Sequence, residues 1–342
     1  MRILQVIDKL SVGGAERVCI DLSNLLLANN VDISVLTFTN HDELEWQLND
    51  NISIVKYERK SKFNFFSAIE ISKILNNYDI IHVHMRHVYR YIKLISLIFR
   101  IKAKIVFHDH YGSIEIDKSV PFLFNSILKP KYYIGVSKEL VSWGNNALKV
   151  KNTFLLSNII VKKSFVLNQL TTKKGIVIVG NIKPVKNQLF AIKLAAKLNE
   201  NLTIIGKIHD KDYYQKLKLE IKELGVNDNV NFIFNSENVQ ELLPEFKFGL
   251  MTSFSESGPL VLIEYIAQNL PFLSANTGDV SQLLTHEFPD FFLNDFDLDK
   301  WIESVKKVNT FDEDFESIYY KYFSPKDYIN KCINIYQKIK NF

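Results

Sequence analysis

The feature that most constrains this chain is an alternation that occurs twice. Short, β-branched, nearly continuous apolar runs stand at RILQVI (2–7), DISVLTF (32–38), IIHVH (80–84), KIVFHD (104–109) and YYIGVS (132–137). Longer stretches separate them. In 15–29, Val18, Cys19, Leu22, Leu25 and Leu26 recur at helical spacing. Strands that are apolar on both faces and alternate with helices predict a parallel sheet covered on both sides. The pattern lapses over KKSFVLNQLTTKK (162–174), which is polar and basic without a period. It restarts with GIVIVG (175–180), NLTIIG (201–206), VNFIF (230–234), FGLMTS (248–253) and PFLSA (271–275). Two doubly wound α/β domains, 1–165 and 166–323, are therefore expected. A last helix fills 324–342, with Ser324 as N-cap and Pro325 at its first position. With 342 residues, 47% of them hydrophobic, the chain can fill two cores. No fixed-period repeat is present.

Several function classes drop out. A net charge of +4 is too mild to indicate a nucleic-acid partner without clustering. Cys19 and Cys332 lie at opposite ends of the chain and give neither a disulfide framework nor a metal-ligand spacing. The N-terminus lacks the basic segment and apolar run of a signal peptide. The most apolar stretch, YIKLISLIFRI (91–101), is interrupted by Lys93 and Arg100 and is too short to span a bilayer. A cytoplasmic location is expected.

In open α/β sheets, ligands bind beyond the carboxyl ends of the strands. Two such domains facing each other would form a cleft lined by the loops that follow their strands. KLSVGGAERV (9–18) is one such loop. Gly13 and Gly14 allow a sharp turn and close backbone approach, and the following helix start offers N–H groups to an anion. A plain tight turn explains the same residues, and the glycine spacing is neither a dinucleotide fingerprint nor a Walker loop. KIVFHDHYGS (104–113) puts His108 and His110 on one strand face, with His82 and His84 ending another strand. Catalytic and structural roles both remain open for these histidines. A metal is not expected, because no carboxylate or cysteine stands at ligand spacing. In VGNIKPVKNQ (179–188), Lys183 and Lys186 open a helix against its macrodipole, which is unfavourable unless an anion lies between them. Solvated loop lysines are the alternative.

The most informative stretch is SFSESGPLVLIEYIA (253–267). Ser255 or Ser257 is a candidate cap, Gly258 permits close approach, and Pro259 suits a first helical position. The helix is apolar all round except for Glu264, and Glu256 precedes it. A buried carboxylate without partners costs several kcal/mol by order of magnitude, so Glu264 is expected to meet hydrogen-bond donors or solvent; the alternative is that it lies on an exposed stripe of the helix.

VGGAERV, GNIKPVKN and, most specifically, Glu256-x7-Glu264 within SESGPLVLIE resemble the retaining glycosyltransferases of family 4. The likeness runs nearly end to end, through LGVNDNVNFIF and NTGDVSQLL. It implies the GT-B fold, with two facing Rossmann-like domains and a C-terminal helix returning to the first. The donor would be a nucleotide sugar, UDP-linked in the first instance, held mainly by the second domain. Glu256 would bind hydroxyls of the donor sugar and Glu264 the ribose diol. The backbone from Gly258 through Pro259 and Leu260 to Val261, with Lys186, would neutralise the diphosphate, and Gly14 would admit it from the first domain. His110 matches the histidine near the reacting centre, with His108 as second choice. Attack from the face the leaving group departs would retain configuration, and no metal or other cofactor is implied. The chain departs from the pattern at Asn181, which replaces an arginine and leaves its contact to Lys183. It departs again at KIHD after NLTIIG, and at Gly278, Asp279 and Gln282.

The first domain would choose the acceptor. YERKSKFNFF (57–66) and HVYRYIKLISLIFRIKAK (87–104) mix Arg59, Lys60, Lys62, Arg90, Lys93 and Arg100 with aromatic and aliphatic residues. That mixture suits an anionic membrane surface, although an ordinary amphipathic helix has the same composition. A lipid-linked glycan acceptor and a peripheral position on the inner face of the membrane follow from the first reading. O-antigen, capsule or other bacterial polysaccharide synthesis would be the setting. The rivals are a sugar-nucleotide epimerase or hydrolase, and a GT-B protein that binds without catalysis.

Overall fold

In a computed structural model, residues 1–39, 42–58, 65–165, 173–234, 236–312 and 314–341 are described. The chain divides into two compact units. One comprises Met1–Ile159 with Pro325–Phe342, and the other Ile160–Ser324.

The first unit contains β1 (Arg2–Val6), α1 (Gly14–Ala28), β2 (Asp32–Thr37), β3 (Ser53–Lys56), α2 (Phe65–Leu75), β4 (Ile80–His84), α3 (Arg86–Ile98), β5 (Lys104–Asp109), β6 (Tyr132–Gly135), α4 (Lys138–Asn146) and β7 (Asn152–Leu155). Its strands form one parallel sheet in the order β3-β2-β1-β4-β5-β6-β7. Alternate residues of β1 feed opposite faces: Ile3 joins a core with Cys19, Leu22 and Leu26, and Leu4 one with Ile71, Val88 and Ile92.

The second unit contains β8 (Lys174–Val179), α5 (Gln188–Leu198), β9 (Leu202–Ile205), α6 (Lys211–Glu223), β10 (Val230–Ile233), α7 (Val239–Leu242), β11 (Phe246–Met251), α8 (Leu260–Ala267), β12 (Phe272–Ala275), α9 (Asp279–Leu284), β13 (Phe292–Leu293), α10 (Leu298–Asn309) and α11 (Glu316–Phe323). Its parallel sheet runs β10-β9-β8-β11-β12-β13. The last helix, α12 (Pro325–Asn341), belongs to the first unit. It buries Ile329, Cys332, Ile335, Tyr336 and Ile339 in the same core as α1.

Both sheets have the doubly wound order, in which the winding direction reverses beside the first strand. The reversal lies between β1 and β4 in one unit and between β8 and β11 in the other. Such a switch opens a crevice at the carboxyl ends of the two strands. The loops that leave β8 and β11 carry Lys183, Lys186 and Glu256, and the loop that leaves β1 carries Gly13. Among the described residues, no helix is long and apolar enough to cross a membrane.

Candidate active site

In the second unit the loops after β8 and β11 are stitched together. The Thr252 hydroxyl donates to the carbonyls of Lys186 and Asn187, each at 3.0 Å, and the Phe254 N–H donates to Val185 O at 2.8 Å. Asn187 adopts φ 51° to turn the chain into α5. The register places Lys186 Nζ against the Glu256 carboxylate as an ion pair. Ser253 Oγ donates to Glu256 Oε1 at 2.7 Å, the same oxygen that Lys186 engages. Oε2 is thereby left to face other donors. The Glu256 N–H donates to Thr277 Oγ1 at 3.1 Å and the Asp279 N–H to Ser257 O at 2.9 Å, which fixes the loop's far side. Gly278 sits between at φ 82°. A Cβ there would stand 2.9 Å from Pro259 Cδ and 3.1 Å from Glu256 Cβ, so glycine is required on both conformational and steric grounds.

The start of α8 differs from the sequence expectation in one respect. The helix begins at Leu260, and Pro259, with ψ 108°, occupies the cap position itself. Neither Ser255 nor Ser257 is the capping residue, because proline's extended ψ delays the first helical turn. Proline also has no N–H, so the donors at this end come from Gly258, Leu260 and Val261. The first four N–H groups of a helix have no partner within it. Glu264 lies four residues on, about 6 Å along the axis. It is 3% exposed, in a helix whose residues from Val261 to Ala267 are all buried.

Lys183 is half-buried and makes no ion pair among the described residues. Burial lowers its basicity, the neighbouring Lys186 lowers it further, and Glu256 works in the opposite sense. A cation in that position stabilises an anion brought to it. Asn181 turns its carbonyl to Gln188 Nε2 at 3.1 Å and helps seat α5.

In the first unit, Gly13 caps α1 with φ −170°, which is ordinary extended backbone. A sharp turn is therefore not what its glycine supplies. A Cβ at Gly13 would instead overlap the Glu16 carboxylate. Glu16, buried in the first turn of α1, has its pKa raised by desolvation, and the sequence reading passed over it. Gly14 is exposed at the first helical position.

The four histidines lie together. β4 and β5 pair with His84 opposite His108 and His82 opposite Val106. His84 Nδ1 meets His110 Nε2 at 2.9 Å, and His82 Nε2 meets His108 Nδ1 at 3.0 Å. His108 is fully buried behind His82, whereas His110 is half-buried. Two further contacts, illegible in the sequence, close the group. His84 Nε2 meets Gln5 Oε1 at 2.7 Å, and His82 Nδ1 meets the Tyr336 hydroxyl at 2.6 Å. Ring nitrogens of His82, His84 and His108 lie within 4.8 Å of one another, a grouping compatible in size with a metal ion. Both nitrogens of His82 and of His84 are, however, already engaged in short hydrogen bonds.

Burial drives the pKa of His82 and of His110 down to about 3, and lowers His84 and His108 well below the ordinary value. The folded group is therefore neutral, while the unfolded chain takes up protons near pH 6.5. The unfolded state binds more protons below that pH, so the stabilisation is complete above about pH 6.5 and is lost as pH falls toward 3. At pH 5, His82 alone is expected to cost the first unit about 2 kcal/mol. Thermal midpoints at pH 7.5 and pH 5 check this, and equal midpoints refute it.

Asp109, between His108 and His110, is 1% exposed and accepts three hydrogen bonds of 2.9–3.2 Å from the Arg86 guanidinium. Tyr133 Oη and the Tyr111 N–H add donors at 3.0 and 3.1 Å. The guanidinium lies 4.0 Å from the Tyr111 ring centre and 4.5 Å from that of Trp143. This knot anchors the backbone on both sides of His110.

Arg59, Lys60 and Lys62 lie outside the described residues. Arg90 and Arg100 are exposed, whereas Lys93 is half-buried and less basic through desolvation. Leu97 and Ile98 at the end of α3 are 52% and 63% exposed, and Phe66 on the adjacent α2 is 76% exposed.

Comparison with known proteins agrees with the fold. The model described as "Glycosyl transferases group 1" matches residues 161–338, just over half of the chain. "Glycosyltransferase Family 4" matches residues 12–144. An uncharacterized glycosyltransferase of Haemophilus influenzae is 25% identical over 328 residues, covering 86% of each chain. The amylovoran biosynthesis glycosyltransferase AmsD of Erwinia amylovora is 24% identical over 292 residues, covering 80% of each. The Anabaena protein HepE, solved with UDP and glucose, superposes with a TM-score of 0.83 at 15% identity, covering 99% of this chain and 100% of its own. With two doubly wound units and these matches, the chain belongs to the group 1 glycosyl transferases and is a glycosyltransferase of GT-B type.

Proposed function

We propose that the protein is a retaining glycosyltransferase that moves a hexosyl or N-acetylhexosaminyl unit from a UDP-sugar to a lipid-linked glycan during bacterial polysaccharide synthesis. The observation that carries this is the pairing of Lys186 with Glu256 immediately before the buried start of α8. A diphosphate at that helix end would draw on the Gly258, Leu260 and Val261 amides and on Lys183 and Lys186. As Lys186 turns to the phosphates, Glu256 is released to accept hydroxyls of the sugar. Glu264, one turn into α8, is suited to a ribose diol, since a carboxylate accepts two hydrogen bonds side by side.

The bond from the anomeric carbon to the diphosphate oxygen breaks, and a bond to the acceptor oxygen forms on the same face. The acceptor's proton passes to the departing phosphate. Charge building on that phosphate meets preoriented amides and lysines, which is electrostatic stabilisation of the transition state. His110 would hold a sugar hydroxyl near the reacting carbon. HepE, solved with UDP and glucose, and AmsD, named for amylovoran biosynthesis, lend support to the donor and the pathway class. The site chemistry includes no role for a metal or other cofactor.

The test is a panel of nucleotide sugars offered with lipid-linked acceptors, scored by acceptor-dependent nucleotide release. Release without acceptor would favour a hydrolase, and binding without release a non-catalytic protein.

The exposed Phe66, Leu97 and Ile98, with Arg90 and Arg100, support a peripheral position on an anionic membrane. The protein is expected to pellet with phosphatidylserine-containing vesicles at low salt and to be released at high salt. Failure to pellet at low salt would remove the membrane from this reading.

A further inference from the structure

The contacts around the histidines form a single line, with one side branch from the Tyr336 hydroxyl to the Cys332 thiol. His110 Nε2 meets His84 Nδ1 (2.9 Å), and His84 Nε2 meets Gln5 Oε1 (2.7 Å). Gln5 Nε2 donates to the Tyr336 hydroxyl (3.4 Å), which meets His82 Nδ1 (2.6 Å), and His82 Nε2 meets His108 Nδ1 (3.0 Å). Six side chains from β1, β4, β5 with the residue after it, and α12 are thus joined end to end. Cys332, one turn earlier on α12, remains a neutral thiol because burial raises its pKa to about 12. The line carries no ionised group.

A neutral imidazole has one N–H and one lone pair, so each internal histidine must donate at one end and accept at the other. Taken without the Cys332 branch, the line has only two proton arrangements, and one is the complete reversal of the other. Gln5 decides between them, because its amide alone has chemically different ends. With Oε1 toward His84, His84 carries its proton on Nε2 and its Nδ1 must accept from His110. With Nε2 toward Tyr336, the tyrosine receives that bond, and its proton goes to His82 Nδ1, 2.6 Å away, because an imidazole nitrogen is a far stronger acceptor than the Cys332 sulfur beside it. His82 then donates from Nε2 to His108 Nδ1. At the far end, His108 Nε2 is buried without a hydrogen-bond partner, and the backbone of Leu156 acts on the ring to favour its protonated state.

We propose that Gln5, His84 and Tyr336 are positioning residues that hold all four histidines in the Nε2–H tautomer, so that His110 presents a bare Nδ1 acceptor to the sugar. The inference rests on the reading of His110 as a residue at the reacting sugar. His110 Nδ1 has no partner among the described residues. A ligand hydroxyl would donate to it, so His110 would fix that hydroxyl's direction as an acceptor rather than donate to the glycosidic oxygen. Because the line passes through Tyr336, α12 takes part in setting a tautomer with which it makes no direct bond.

The experiment is a long-range proton–nitrogen correlation spectrum of the full chain, labelled with 15N-histidine, at pH 7.5. Four Nε2–H patterns are expected for the buried cluster. In Gln5→Met, His84 and His110 should show mixed tautomers, and turnover should fall about tenfold with donor KM changed less than about twofold. That loss is smaller than the roughly 100-fold cost of a 1 Å misplacement. In Tyr336→Phe, His110 should also lose its single tautomer, which a merely structural contact would not cause. Mixed or Nδ1–H tautomers in the unaltered protein would overturn the proposal. So would a His110 signal indifferent to both variants, or uptake of one zinc ion with loss of the ring N–H signals. The spectrum needs no turnover. Uniform tautomers in a protein inactive with every donor would fault the assigned function alone, and active protein with mixed tautomers would fault this inference alone.

Discussion

Glu256→Ala is expected to lower kcat/KM by at least about 100-fold, the scale on which removing one preoriented group from a reacting centre acts. The deleted carboxylate is 8% exposed and is held by Ser253 and Lys186. Two effects then diverge. The sugar loses its acceptor, so transfer collapses. Lys186 loses the one carboxylate it pairs with among the described residues and becomes free for phosphate, so UDP should bind as tightly as before or several-fold more tightly. Acceptor-dependent nucleotide release measures the first effect, and calorimetric titration with UDP the second. Near-normal release in the variant would remove Glu256 from the reacting centre. Equal losses of UDP affinity and turnover would show that the loop had collapsed. Glu256→Gln separates charge from shape, and is expected to keep the loop while losing most of the turnover.

The second large effect is on stability. Asp109→Ala leaves the Arg86 guanidinium partly buried without its carboxylate, and removes the acceptor of Tyr133 and of the Tyr111 amide. Breaking a buried pair from one side costs about 3–5 kcal/mol. At roughly 2–4 °C per kcal/mol for a unit of this size, the first unit's thermal midpoint should drop by about 10 °C. Calorimetry that resolves the two units would test this, with the second unit's transition unmoved. Arg86→Met with Asp109→Leu, which removes both charges, is expected to recover much of the loss. A drop below about 1 kcal/mol for Asp109→Ala would mean that the pair is solvated.

Which parts of this structure could be read from residues alone has a physical pattern. The strands named in advance are all present within two residues of their expected ends. Most are central, buried on both faces, and so written as continuous apolar runs. The strands that were missed, β3, β7 and β13, lie at sheet edges. β3 and β7 are only partly buried, and β13 is two residues long, so no apolar run marks them. Glu256, Glu264, Lys183 and Lys186 stand out in the sequence because a charge in an apolar or dipole-opposed setting is a local contradiction. Their supports do not. Thr277 joins Glu256 across 21 positions, and Gln5 joins Tyr336 across 331. Ordinary polar residues such as these carry no signal until the fold brings them together. The serine cap failed for a local reason, since a proline one residue ahead of the helix displaced the start.

The helix α12 has a consequence for the order in which the protein is made. The first unit's sheet is complete at residue 155, yet Tyr336, Cys332 and Ile339 of its core emerge only after the whole second unit. At about 5–20 residues per second, roughly 10–40 s of synthesis separate residue 159 from residue 341. Throughout that interval the nascent first unit lacks one wall of its core, and Gln5 lacks its tyrosine. Tyr336 is the side chain that closes the line of histidines, so that line assembles only after the whole second unit has been translated.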